Sequence, residues 1–229
     1  MDILSGYDAV SKMKASILSA GCGSLEVGYE ISDFERICQS FPKGRLGEHF
    51  SRRLNTLPPN RLIWIVAKDR AGRPVAAAAA RFDDIKGWDL ERFISEYWTR
   101  IYTDENGDPI EIIPMSLEHA RGISGPWVYL GEGFVAEDFR GKKISSNLIR
   151  ILIILAFNEF RPNLLYGWMR PPLIKIGVNT NWGFHNTIYP GLLWKKAPHQ
   201  LDLHDLAFVS CDARGVGRLS QRFSGSSLE

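Results

Sequence analysis

The chain alternates between short runs of period-two hydrophobicity and longer stretches at helical spacing. Strands are predicted at LEVGYEI (25–31), RLIWIVAKD (61–69), RPVAAAAARF (73–82), PWVYLGEGFVA (126–136), NLLYGWM (163–169), GLLWKKA (191–197) and DLAFVSC (205–211). The turn Asp69-Arg70-Ala71-Gly72 makes the second and third of these a hairpin. The alanine run is read as strand because a tight turn and Pro74 precede it. Helical spacing predicts helices over 7–20, over 45–55, over 89–102 and from about Lys142 to Phe160. Another runs from a Ser32 cap, with Glu35 three residues on, to Gln39. Residues 172–188 read as helix or coil, and IEIIPM as a short edge strand stopped by Pro114. GLLWKKA and DLAFVSC are expected to pair as a final antiparallel hairpin.

The resulting order, β-α-α-β-β-insert-β-α-β-α-β-β, describes a mixed α/β domain. One domain is expected over 1–229, with a leading helical extension (1–23), an insertion (84–124) and a flexible tail (223–229). The 142–160 helix is apolar on nearly its whole circumference, so it is expected to be covered on most sides.

Composition narrows the function. The net charge is +2, which argues against a broad basic face for nucleic acid. Cys22, Cys38 and Cys211 are scattered and lack CxxC spacing, as expected of reduced thiols in a cytoplasmic protein. The N-terminus has no signal-peptide pattern. The oiliest stretch, 148–157, is too short to span a bilayer and is interrupted by Arg150. HQLDLHD (199–205) contains metal-ligand residue types at a spacing that matches no metal site, so a solvated loop is expected and no metal is assigned.

The chemistry concentrates in GEGFVAEDFRGKKISS (131–146). Two glycines inside a strand suggest a bulge or a backbone left open for a ligand. The turn that follows opens a helix, whose first N–H groups and positive dipole end suit an anion. Gly141 lets backbone approach, Arg140, Lys142 and Lys143 add charge, and Ser145 and Ser146 add hydroxyls. Together they describe a phosphate or pyrophosphate site. GEGFVA also fits G-x-G-x-x-A, the dinucleotide-binding pattern. It sits mid-chain, however, and does not open its helix directly, so a nucleotide-dependent oxidoreductase ranks lower.

VAEDFRGKKISSNL (135–148) resembles the coenzyme A–binding motif of the GNAT superfamily of N-acetyltransferases, Q/R-x-x-G-x-G/A. Arg140 matches its first position; Lys143 and Ser145 stand where Gly and Gly or Ala are usual. YPGLLW (189–194) resembles the family's Y-x-x-x-G-[FY] helix ending, with Leu193 for Gly and Trp194 for the aromatic. The resemblance implies a GNAT-like, mostly antiparallel sheet flanked by helices. It implies acetyl-CoA, or another acyl-CoA, in a V-shaped opening between the fourth and fifth strands. Backbone at Gly133, Phe134 and Val135 would pair with the pantetheine arm. Residues Arg140, Gly141, Lys142, Lys143, Ile144, Ser145 and Ser146 would hold the pyrophosphate.

The implied reaction is acyl transfer to the amine of a small molecule or peptide, by a monomer or homodimer. Tyr189 would be the general acid for the departing thiolate, and Glu132 beside the bulge the general base. His185, four residues before Tyr189, would share a helix face with it. A non-catalytic acyl-CoA–binding module on the same fold is the alternative, motivated by Lys143 and Leu193.

Overall fold

The computed structural model describes residues 3–42 and 44–225. Helix α1 (Ile3–Ser19) leads into β1 (Cys22–Gly28), α2 (Ile31–Cys38), β2 (Leu62–Asp69) and β3 (Pro74–Asp83). The insertion holds α3 (Leu90–Arg92) and β4 (Glu111–Ile112). Then come β5 (Trp127–Val135), α4 (Ile144–Phe160), β6 (Leu164–Met169), α5 (Pro171–Lys175) and α6 (Val178–Trp182). The chain ends with β7 (Asn186–Ile188), β8 (Trp194–Lys196), β9 (Ala207–Cys211) and α7 (Ala213–Ser224).

Seven strands form one sheet in the order β1-β2-β3-β5-β6-β9-β7. Every neighbouring pair in it is antiparallel except β5–β6. The mixed, mostly antiparallel sheet flanked by helices is therefore as expected.

The alanine run makes the centre of this sheet thin enough to be covered on both faces. Ala76, Ala78 and Ala80 pack in the core formed by α1, α4 and α7. Ala77 and Ala79 pack in the opposite layer, with Phe34, Phe50 and Trp64. All five are at most 1% exposed. A helix apolar all round can lie against such a strand because methyl groups keep the sheet low there. The insertion builds a third apolar cluster, with Phe93 and Trp98 against Trp127, Tyr166 and Phe208 of the main sheet.

Several expectations are corrected. Residues 45–55 hold a single 3₁₀ turn, Glu48–Phe50, in place of a helix. Ser32 lies inside α2, whose N-cap is Glu30 without a side-chain bond. The 89–102 segment is helical but changes pitch: α3 passes into a π-helical Phe93–Trp98 and a 3₁₀ turn, Thr99–Ile101. The final hairpin does not form. β8 pairs with β4 in a small second sheet, and β9 is inserted between β6 and β7. Two elements were not foreseen. β7 is exposed along its whole length, so it carries no alternation of burial to read. α7 begins at Asp212, whose side chain accepts from the Gly215 N–H, and runs through Ser224. Residues 223–224 of the expected tail are thus helical, and 226–229 lie outside the described residues.

Candidate functional site

The one parallel pairing in the sheet is short. β5 and β6 match only at Trp127–Tyr129 against Leu164–Tyr166. Gly167 still lies close to β5: a Cβ there would stand 3.1 Å from the Leu130 carbonyl oxygen. Beyond it the strands part. Between them opens a cleft of about 310 Å³, bordered by Leu130–Gly133 on one side and by Trp168 and Met169 on the other.

A bulge re-aims β5 at that point. Its register against β3 slips between Ala77 and Ala79, and Glu132 takes φ 57. A non-glycine residue in the left-handed region costs about 1 kcal/mol or more. The Glu132 carboxylate accepts the Gly47 N–H at 2.8 Å, which ties the bulge to the chain after α2. The Ala136 N–H donates to Val75 of β3 at 2.7 Å. By strand alternation the Val135 N–H points the other way, towards the β6 side.

After β5 a 3₁₀ turn, Glu137–Phe139, leads to Arg140 and then to two left-handed residues, Gly141 (φ 76) and Lys143 (φ 59, ψ 12). Lys143 therefore adopts the backbone that the motif normally assigns to glycine. The first helical bond of α4 is Asn147 N–H to the Lys143 carbonyl, at 3.1 Å. The amides of Ile144, Ser145 and Ser146 precede it and have no acceptor within the helix. The Ser146 hydroxyl donates to the Lys143 carbonyl at 3.0 Å, and Lys142 Nζ lies 4.7 Å from the Phe139 ring centre. Gly141, Lys143, Ser145 and Ser146 border a second cavity of about 890 Å³. Trp182 of α6 borders both spaces.

The far wall of the cleft is aromatic and polar. His49 is 5% exposed, and its ring stacks on Trp98 at 4.6 Å. Burial, then the Arg81 and Arg100 charges, push its pKa well below the usual value, so the ring is neutral at physiological pH. Arg81 and Asp83 behind it are 2% and 1% exposed and pair Nε to Oδ2 at 2.8 Å. Burial raises the phenol pKa of both Tyr102 and Tyr129. The Glu132 charge adds to the shift at Tyr129, and the charges of Tyr129, Glu48, Asp202 and Glu132 add to it at Tyr102. These hydroxyls stay protonated throughout the ordinary range.

Of the residues singled out in the sequence, Glu132 and Gly133 lie on the cleft. The Phe134 side chain lies in the opposite layer, stacked on Phe41 at 4.1 Å, so that only its backbone is placed near β6. Val135 packs against the α4 core, and Ile144 is 1% exposed. Arg140 and Lys142 are exposed at the turn. Tyr189 is not among the residues bordering the cleft; it is 59% exposed, and Asp205, bonded to its hydroxyl, raises its pKa. His185 is not on a helix with Tyr189. Its Nε2 sits 3.4 Å from Asp212 Oδ1, at the start of α7. The helix that precedes the next strand ends at Trp182, with Gly183 at φ 101, so the helix ending assigned to 189–194 falls at 178–184. His49, Trp168 and Trp182 were missed as cleft residues. Trp182-Gly183 carried the one readable signal, a glycine closing a helix. Among the described residues no group of three or more His, Cys, Asp or Glu could hold a metal. No helix among them is long and apolar enough to cross a membrane.

No protein-family model matches the chain, and no curated protein matches it. Among solved structures, it is similar to FeeM, an N-acyl amino acid synthase from uncultured soil microbes, at 12% identity and TM-score 0.48, over 86% of this chain and 92% of that one. It is also similar to BjaI, a CoA-dependent acyl-homoserine lactone synthase, at 12% identity and TM-score 0.44, over 89% of each chain. A third likeness is to the aminoglycoside acetyltransferase AAC(6')-Ib in complex with coenzyme A and kanamycin, at 13% identity and TM-score 0.43, over 85% of this chain and 98% of that one. The strand order and the opening between the fourth and fifth strands of the main sheet are those that the sequence resemblance led us to expect.

Proposed function

We propose that the protein transfers an acyl group, acetyl in the simplest case, from coenzyme A to the amine of a small molecule or peptide. The observation that carries the reading is the alignment of two features. A bulged strand parts from its parallel neighbour, and the space leads past Trp182 to a helix N-terminus with three amides free of helical acceptors. An extended arm with amides fits the first, and a pyrophosphate fits the second.

In this reading the backbone of Gly133 and Val135 pairs with the pantetheine amides, and the amides of Ile144 to Ser146 hold the pyrophosphate. The acceptor amine enters from the His49 and Tyr102 side. It must lose a proton before it attacks the thioester carbon. Glu132 is the cleft carboxylate on the bulge itself and is our assignment for that base. A strand N–H at the bulge would stabilise the tetrahedral oxyanion as the C–N bond forms. The C–S bond then breaks, and the thiolate leaves with the electron pair. Tyr189, exposed and bonded to Asp205, receives no role in this scheme.

A non-catalytic acyl-CoA–binding module was motivated by Lys143 and Leu193. Lys143 keeps the left-handed backbone, and position 193 does not belong to the helix ending. Neither departure then argues against turnover. The test is calorimetric titration with acetyl-CoA, for the native chain and for Arg140→Ala with Lys142→Ala, followed by thiol release across an amine panel. Micromolar binding weakened in the variant supports the reading; no binding of any acyl-CoA overturns it.

A further inference from the structure

In the first two turns of helix α4 the polar residues other than Ser145 fall on one line: Lys143 at its cap, then Ser146, Asn147 and Arg150. These positions are three, four and seven residues from Lys143, so they share a face. The face is exposed at Lys143 and partly covered at Ser146, and its two inner positions are buried. Asn147 is 6% exposed and Arg150 is 9% exposed. Both border the cavity of about 890 Å³ that begins at the Gly141–Ser146 turn. The opposite walls come from the two ends of the chain, Lys12 and Ser16 of α1 and Arg222 and Phe223 of α7.

The charges around this cavity are unbalanced. Arg150 Nη1 donates to Asn147 Oδ1 at 3.3 Å, and its guanidinium lies 4.5 Å from the Phe223 ring centre. Its Nε is buried and has no hydrogen-bond partner. No carboxylate pairs with Arg150 among the described residues, and Arg222 adds a second cation beside it. Lys12 Nζ is bonded to the neutral Ser224 carbonyl. The residues bordering the cavity include no Asp or Glu. A guanidinium nine-tenths buried beside another cation, with a donor left over, is costly unless an anion completes it.

This inference rests on the acyl-CoA reading. Coenzyme A carries a phosphate on the ribose 3′ oxygen as well as the pyrophosphate. Arg150 stands about 6 Å along the helix from Ser146, the last of the free amides. That is one helical turn, a separation that one ribose can span between its two phosphate positions. We infer that Arg150 and Arg222 bind the 3′-phosphate of the donor, with the adenosine in the cavity walled by α1 and α7. The two terminal helices thus form a nucleotide-recognising wall. The protein selects a donor that carries the 3′-phosphorylated nucleotide over one that offers the pantetheine arm alone.

The test compares acetyl-CoA, 3′-dephospho-acetyl-CoA and adenosine 3′,5′-bisphosphate by calorimetry. For the native chain, acetyl-CoA is expected to bind at least tenfold more tightly than its dephospho form. Arg222→Gln, at an exposed position, and Arg150→Gln should each weaken acetyl-CoA about tenfold and leave the dephospho form unchanged. Equal binding of the two donors by the native chain overturns the inference, as does an equal loss of both in Arg222→Gln. Binding of adenosine 3′,5′-bisphosphate without acetyl-CoA would keep this subsite and overturn the acyl-donor reading. Binding of none of the three would overturn both.

Discussion

Gly133 and Trp182 face each other across the opening in the sheet. A Cβ on Gly133 would stand 3.4 Å from the tip of the Trp182 indole. The indole borders both the cleft and the cavity below the α4 turn. A methyl group just fits there. Gly133→Leu is expected to abolish acetyl-CoA binding in calorimetry while far-UV circular dichroism stays native. Retained affinity would mean that the donor does not pass between these two residues.

Lys143 holds a left-handed backbone at the α4 cap. Lysine and alanine both meet the Cβ penalty there, and glycine does not. Lys143→Gly should be more stable than Lys143→Ala by about 1 kcal/mol in urea denaturation. The reverse ranking would show that the cap relaxes to an ordinary conformation in solution.

The Arg81–Asp83 pair lies behind the cleft and is tied to it through His49. Arg81 Nη1 donates to the His49 carbonyl at 3.0 Å and to Asn55 Oδ1 at 2.9 Å. Arg81→Met leaves the buried Asp83 carboxylate with Arg61 as its remaining cation and is expected to cost about 3 kcal/mol. Asp83→Leu leaves the Arg81 guanidinium buried with neutral acceptors only, the His49 carbonyl, Asn55 Oδ1 and Tyr97 hydroxyl, at a similar cost. The double variant should lose far less than their sum, as read from a double-mutant cycle in urea. Additive losses would show that the two charges do not interact.

His49 and His119 both have pKa values below the usual imidazole range, chiefly through burial. The unfolded chain therefore binds protons that the native state does not, and this begins near pH 6.5. Stability from this source is complete above that pH and falls as the pH drops below it. His49→Gln should reduce the slope of stability between pH 6.5 and 5 by up to about 1.4 kcal/mol per pH unit. Urea midpoints measured across that range check it, and an unchanged slope would mean that His49 is protonated in the native state.

Tyr189→Phe is expected to leave the rate of thiol release within about threefold of native, because the hydroxyl is committed to Asp205 outside the cleft. A general acid would be expected to contribute a hundredfold or more. A loss of that size would restore Tyr189 to the mechanism.

The sequence showed the core strands because their periodicity is local. RLIWIVAKD and the alanine run needed only their own alternation and the Asp69–Gly72 turn to be read. The turn before α4 was equally plain, since glycine, cations and hydroxyls stand together before an oily helix. What escaped was decided at a distance. β8 takes its partner from the insertion, and β9 enters between β6 and β7, so neither pairing is encoded near the strands concerned. His49 becomes a cleft residue only because Arg81 and Trp98 fix the loop around it. Trp182 escaped because the helix ending was placed several residues too late.

The parting of β5 from β6 leaves unpaired peptide groups in the middle of a sheet, where proline, lysine or a covering helix cannot blunt them as on an outer strand. In the proposed reading the donor arm would extend the ladder there, so acetyl-CoA is expected to slow amide hydrogen exchange at Gly133 and Val135.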